Sequence, residues 1–243
     1  VKSLFFIIVI SLLASVESLA QNFMGCTSQD AIALGRVLPV VESTRNPQMD
    51  YCIKKNAESV GKFLGVNVGV IMFEDSVYDK PNICVSRIDE LSGTDGTVAI
   101  GCNYLQNMYS YSGNFNIIPI VLAHEIAHIL DITLKATPPS GMYSELYADF
   151  LSGCFMAYRS KQTFADVSNN LRWVVRIGDY TAVGDPARHG TPMQRTAAFK
   201  AGFDWYKEQL AVGCVVVGID ASAAARKYLN LPDFDDADKI AGN

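Results

Sequence analysis

Apolar and polar positions along the chain follow two rhythms, one helical and one extended. Residues 28–41 and 50–64 have the spacing of helices, with Pro47 between them. Residues 66–73 form an apolar, β-branched run of strand type, and residues 82–87 predict a second strand. The turn Ser92-Gly93-Thr94-Asp95-Gly96 precedes a third strand over residues 97–105. A polar loop with Gly113 covers residues 110–116. Asn116 then stands where a cap belongs, ahead of a helix running to about Leu130, with Pro119 tolerated in its first turn. Pro138-Pro139 breaks the chain, and residues 140–159 and 162–177 predict two more helices. After a loop over residues 179–190, Thr191-Pro192-Met193-Gln194 has the form of a capping box and opens a last helix to about Leu210. An acidic tail follows from Pro232. Strands come early and helices late. The predicted class is therefore α+β, a small N-terminal-side sheet followed by a helical half, in one domain over residues 21–243.

The first 20 residues read as an export signal. Lys2 supplies a positive charge, residues 4–14 are apolar apart from Ser11, and Ser18-Leu19-Ala20 is a small-x-small cleavage site. An uncleaved anchor is the alternative, but the apolar run is shorter than the roughly 20 residues a spanning helix needs. No later segment reads as long and apolar enough to span. The expected location is outside the cell or in a periplasm. All six cysteines, Cys26, Cys52, Cys84, Cys102, Cys154 and Cys214, follow the signal. An even number in an exported chain predicts disulfides, up to three; buried free thiols are the alternative. There is no CxxC.

Composition narrows the class further. With 49% hydrophobic and 19% charged residues the chain can build a core, which excludes low-complexity disorder. The net charge is −5, and the longest basic run is Lys54-Lys55. A nucleic-acid partner needs a basic face to neutralise phosphates, so that class is excluded.

The candidate chemistry lies in His124-Glu125-Ile126-Ala127-His128, an HExxH motif on a predicted helix. Residues i and i+4 share a helix face, so both imidazoles can reach one metal ion. Neutral imidazole suits zinc, and two histidines leave room for a third ligand and a water. Glu125 stands beside that position as a general base, then acid. Leu134 occupies the place where a metzincin would carry a third histidine. The next helix offers Glu145 and Asp149, again four apart. Spacing leaves open which carboxylate completes the metal shell and which one orients a ligand histidine.

HEIAH followed 17 residues later by ELYAD resembles the gluzincin group of zinc metallopeptidases. Ile177-Gly178-Asp179 and His189-Gly190-Thr191-Pro192-Met193-Gln194-Arg195 resemble the closing motifs of the neutral zinc metallopeptidase family. More loosely they are similar to the His-Pro...Arg motif of the CAAX-prenyl-protease-like metallopeptidases. The resemblance covers roughly residues 80–205. It implies a zincin-like fold with one zinc ion bound by His124, His128 and Glu145, and with Asp149 orienting His124.

His189 precedes a capped helix start, where the macrodipole is positive, and Arg195 lies in that helix's first turns. Both are candidate donors to the oxyanion of a tetrahedral intermediate, with Asp179 holding one of them in place. Residues 97–105 are expected at a sheet edge where an extended substrate could pair, or else as an inner strand. The expectation is an exported zinc endopeptidase acting on peptides or proteins. A zinc-binding scaffold without catalysis is the competing class.

Overall fold

The computed structural model describes residues 40–76, 83–86, 93–138, 141–159, 161–174 and 189–231. The export signal, most of the helix expected over residues 28–41, Cys26, Asp179 and the acidic tail lie outside the described residues. Strand β1 (Val40–Val41) leads to helix α1 (Pro47–Leu64). The Asn46 side chain accepts from the amides of Gln48 and Met49, so Pro47 opens this helix rather than separating two. Its buried stripe, Met49, Ile53, Ala57, Val60 and Leu64, follows the helical repeat, and Gly65 closes it at φ 74°.

Strands β2 (Val68–Phe73), β3 (Ile83–Ser86) and β4 (Gly96–Gly101) complete a sheet of order β1-β2-β4-β3. β1 runs antiparallel to β2, β2 parallel to β4, and β3 antiparallel to β4. β4 is thus an inner strand, buried along its whole length, which corrects the expectation of an edge there. It also ends at Gly101, and residues 102–112 are helix α2 (Cys102–Ser112). The terminator is remote. The Asp75 carboxylate accepts from the amides of Asn103 (2.6 Å) and Tyr104 (3.0 Å), satisfying the first turn of α2 from 28 residues away.

Helices α3 (Ile117–Leu134), α4 (Gly141–Arg159), α5 (Phe164–Val174), α6 (Pro192–Ala211) and α7 (Gly218–Tyr228) follow. The described molecule is mostly helical with a small sheet, and the α+β class holds. Asn116 makes no side-chain cap on α3, contrary to expectation. α7 was not anticipated. Its buried positions, Ala221, Ser222, Ala225 and Arg226, are small or polar and carry little apolar signal.

α3 is buried from Ile117 to Asp131. By length and composition it could cross a membrane, which corrects the expectation that no later segment would; its place here is the core, between α1 and α4. α4 in turn lies between α3 and α6. Its approach to α6 is a backbone approach. A Cβ on Gly153 would fall 2.0 Å from the Phe199 carbonyl oxygen, and one on Gly202 would fall 1.9 Å from that of Phe150.

Among the described residues the expected disulfides are not formed. Cys52, Cys102, Cys154 and Cys214 are free. Cys154 sits in the α4–α6 contact, where its thiol donates to the Gly202 carbonyl and burial pushes its pKa well above the usual thiol range. At this site the thiol is a packing residue. The Cys84 side chain and Cys26 lie outside the described residues.

Candidate metal centre

Apolar residues occupy nearly every face of α3, so its ionisable residues His124, Glu125, His128 and Asp131 are all forced inside. α4 meets them with Ser144, Glu145 and Asp149, also buried. One heptad-like face of each helix therefore supplies a polar seam within an apolar interface.

At the centre of the seam His124, His128 and Glu145 bring one ligand atom each into a single cluster. The two Nε2 atoms are 3.2 Å apart. Glu145 lies 3.3 Å from His124 Nε2 through Oε2 and 3.5 Å from His128 Nε2 through Oε1. A tetrahedral metal ion with bonds of about 2.0–2.2 Å has ligand-to-ligand edges of roughly 3.3–3.6 Å, so the donor set fits one. Of the two carboxylates that spacing left open, Glu145 belongs to the cluster that could hold a metal ion. Asp149 Oδ1 instead lies 3.0 Å from His124 Nδ1, on the far side of the ring.

Protonation supports the same conclusion. With Asp149 accepting the Nδ1 hydrogen, a neutral His124 would present its Nε2 lone pair to the cluster. Two nitrogen lone pairs and a carboxylate then face one another, which is repulsive unless a cation or proton stands among them. Glu145 Oε2 is buried and makes no well-aligned hydrogen bond, as a ligand atom kept for a metal would be.

The wider charge balance agrees. Among the described residues, the buried carboxylates Glu145 and Asp149 face the buried guanidinium of Arg195. Buried charge must be compensated, and Arg195 and His124 do this for Glu145 and Asp149. Burial lowers the His124 pKa, but the Asp149 and Glu145 carboxylates outweigh it and raise it to about 10. Burial likewise raises the Glu145 and Asp149 carboxyls, yet Arg195 and His124 hold both below the ordinary carboxylate range, Glu145 well below. Electrostatics that hold a proton so firmly on His124 also favour a metal cation.

Arg195 is not placed as an exposed donor. It is 3% exposed and grips Asp149 through Nε (2.7 Å to Oδ2) and Nη2 (2.9 Å to Oδ1). Nη2 also lies 3.2 Å from Glu145 Oε2 and 3.4 Å from both ring nitrogens of His124. This geometry braces Asp149 and Glu145. Arg195 reaches them because the capping box forms as expected, Thr191 with Gln194, and because α6 docks on α4. His189 is half-buried two residues before that cap. The next residue, Gly190 (φ 86°), packs against Met142 and Leu146 in the first turns of α4. Glu125 is buried on α3, one residue beyond His124 and about 100° further round the helix.

Two residues of this seam escaped the reading of the sequence. His128 Nδ1 lies 3.1 Å from Ser144 Oγ, and Ser144 Oγ donates to Asp131 Oδ2 at 2.7 Å. One signal was available for Asp131. A carboxylate in the last turns of an apolar helix opposes the macrodipole and calls for a reason.

Compared with protein-family models, with curated proteins and with solved structures, the chain matches none. The cluster that could bind a metal is therefore defined by its own residues and geometry.

Proposed function

We propose that this protein is an exported zinc-dependent endopeptidase with a zincin-like arrangement of the metal-bearing helices. The observation that carries the reading is the convergence of His124, His128 and Glu145 on one point, with Glu125 next to His124 in the same turn. Two imidazoles and a carboxylate are a zinc donor set of the catalytic type, three protein ligands with a fourth position left for water or substrate. When bound, zinc polarises the scissile carbonyl and acidifies the attacking water.

The chain's own residues do the rest. Glu125 takes the proton from the attacking water and delivers it to the leaving amine. His189, beside the N-terminus of α6, is the candidate donor to the oxyanion. Arg195 keeps Asp149 and Glu145 ionised and in place, so its part is positioning. Export is supported by Lys2, the apolar residues 4–14 and the Ser18-Leu19-Ala20 site.

One observation favours a second reading, a zinc-binding scaffold without catalysis: Glu125 is only 2% exposed. A single comparison separates the two. Zinc-loaded wild type and Glu125→Gln are incubated with denatured proteins, and fragments are read by mass spectrometry. Fragments from wild type alone support the peptidase. No fragments from either, with one zinc held by each, supports the scaffold. Equal cleavage by both overturns Glu125 as the base.

A further inference from the structure

The two ligand histidines are held by different devices. His124 leans directly on a carboxylate, Asp149. His128 reaches a carboxylate only through a hydroxyl. The direction of each hydrogen bond along this path can be assigned. Asp131, buried at the end of α3, is an acceptor only, and it receives the Thr137 amide (2.9 Å), the Thr137 hydroxyl and the Ser144 hydroxyl. Ser144 has one hydroxyl proton, and Asp131 takes it at 2.7 Å. The oxygen lone pairs of Ser144 are then what faces His128 Nδ1 at 3.1 Å. His128 must carry its hydrogen on Nδ1, which leaves the Nε2 lone pair aimed at His124 and Glu145.

The relay is built from three separate pieces of chain. α3 supplies His128 and Asp131, one turn apart on one face. The reversal at Lys135 (φ 50°), with the Ala136 amide returning to the Asp131 carbonyl, brings Thr137 back over the carboxylate. The first turn of α4 supplies Ser144, directly ahead of the ligand Glu145. A buried carboxylate at a helix C-terminus is unfavourable by itself, and these donors are what offset it.

We infer that Ser144 and Asp131 are positioning residues for His128: they set its tautomer and thereby raise the affinity of the His124–His128–Glu145 set for its metal. The affinity part rests on the zinc reading above; the tautomer part does not. Partners of this kind change metal affinity by about 10–100-fold in metalloproteins generally. Ser144→Ala is therefore expected to weaken zinc binding by about tenfold or more, and Ser144→Thr, which keeps the hydroxyl, to restore most of it.

The test is a competition titration with a zinc chelator on the full chain, beside ¹⁵N NMR of the histidine rings in metal-free wild type and both variants. Weakened zinc binding in Ser144→Ala, rescue in Ser144→Thr, and a shift of His128 away from the Nδ1–H tautomer in Ser144→Ala alone are the expected results. Wild-type zinc affinity in Ser144→Ala, or an unchanged His128 tautomer there, overturns the inference. If wild type itself holds no zinc, the zinc reading falls, and the tautomer comparison still decides the relay. Circular dichroism of each variant separates a lost fold from a lost ligand geometry.

Discussion

Two carboxylate networks in this molecule use similar partners and serve different ends. At the start of α1, Asp50 accepts from the Ser43 hydroxyl (2.6 Å), the Thr44 amide (2.9 Å) and the Thr44 hydroxyl (2.6 Å). It lies in a helix's first turn, at the positive end of the macrodipole, and it is half in water. Between α3 and α4, Glu145 and Asp149 are buried, far from solvent, and rely on Arg195, His124 and His128. The first network is complete within the chain. In the second, removal from water makes each charge costly, and the carboxylates depend on buried Arg195 and His124 for their compensation. The difference lies in the partners: the outer carboxylate is held by hydroxyls and an amide, the inner ones by cationic groups beside a cluster that could hold a metal ion.

The comparison would be broken most directly at Arg195. Arg195→Ala leaves Asp149 and Glu145 as buried charges without their guanidinium, an expected loss of about 3–5 kcal/mol in urea unfolding. Arg195→Lys should recover only part of it, because an ammonium cannot reproduce the two-pronged grip on Asp149. A loss below about 1 kcal/mol in Arg195→Ala would mean that the inner network balances itself as the outer one does.

Zinc bound by His124, His128 and Glu145 should stabilise the inner network further. At a free concentration 100 times its Kd, a ligand of the native state adds about 2.7 kcal/mol. For a chain of this size that is a rise of roughly 5–11 °C in Tm. Differential scanning calorimetry should show this rise in wild type and in Asp50→Asn, and not in Glu145→Ala. An equal rise in Glu145→Ala would remove Glu145 from the metal set.

A smaller effect tests how α6 delivers Arg195. Gly202→Ala places a methyl group on the Phe150 carbonyl, and the two helices must separate to admit it. Overpacking of this kind costs about 1–3 kcal/mol. The separation should also draw Arg195 away, so the variant should bind zinc less tightly than wild type in the same chelator titration. Unchanged zinc affinity would show that the grip on Asp149 tolerates movement of α6.

The smallest effect belongs to the outer network. Asp50→Asn should cost less than about 1 kcal/mol, because the site is open to water. Burial raises the Asp50 carboxyl, but the hydrogen bonds from Ser43 and Thr44 outweigh it and hold its pKa below the ordinary 3.8. A depressed folded-state pKa gives stability that is present above the unfolded value and is lost as pH falls through the folded one. The gap in Tm between wild type and Asp50→Asn should therefore close below about pH 4. A gap that persisted in stronger acid would show that it does not come from the Asp50 charge.

Local chemistry made much of this molecule legible in advance. The core stripe of α1, the strand at residues 68–73, the capping box at Thr191 and the shared face of His124 and His128 all depend on residues within about one or two turns of each other. Where the expectation failed, the deciding group was often distant. Thr97 to Leu105 read as one strand because its apolar run is continuous, yet Asp75 starts a helix in the middle of it. Asn116 looked like a cap, but its side chain makes no such bond, and its own amide bonds instead to Asn114 Oδ1. Cys154 counted toward a disulfide framework and proved to be a buried thiol between two helices. α7 was missed although it ties the site together, with Ser222 hydrogen-bonded to Tyr147 of α4 and Arg226 to the Ala136 carbonyl beyond α3.

The sequence by itself determined that two histidines and a glutamate share one helix, and that a second helix would bring two carboxylates four residues apart. Helical periodicity guarantees both. Which carboxylate meets the candidate metal position and which stands behind His124 was decided only by the tertiary structure, through the packing of α4 on α3. The same holds for Arg195, which reaches Asp149 because Gly153 and Gly202 let two backbones touch, and for Ser144, which meets His128 from a different helix. A spacing along one helix is set by the backbone's own geometry, whereas a contact between helices depends on side-chain volumes summed over the whole interface, which no local pattern carries.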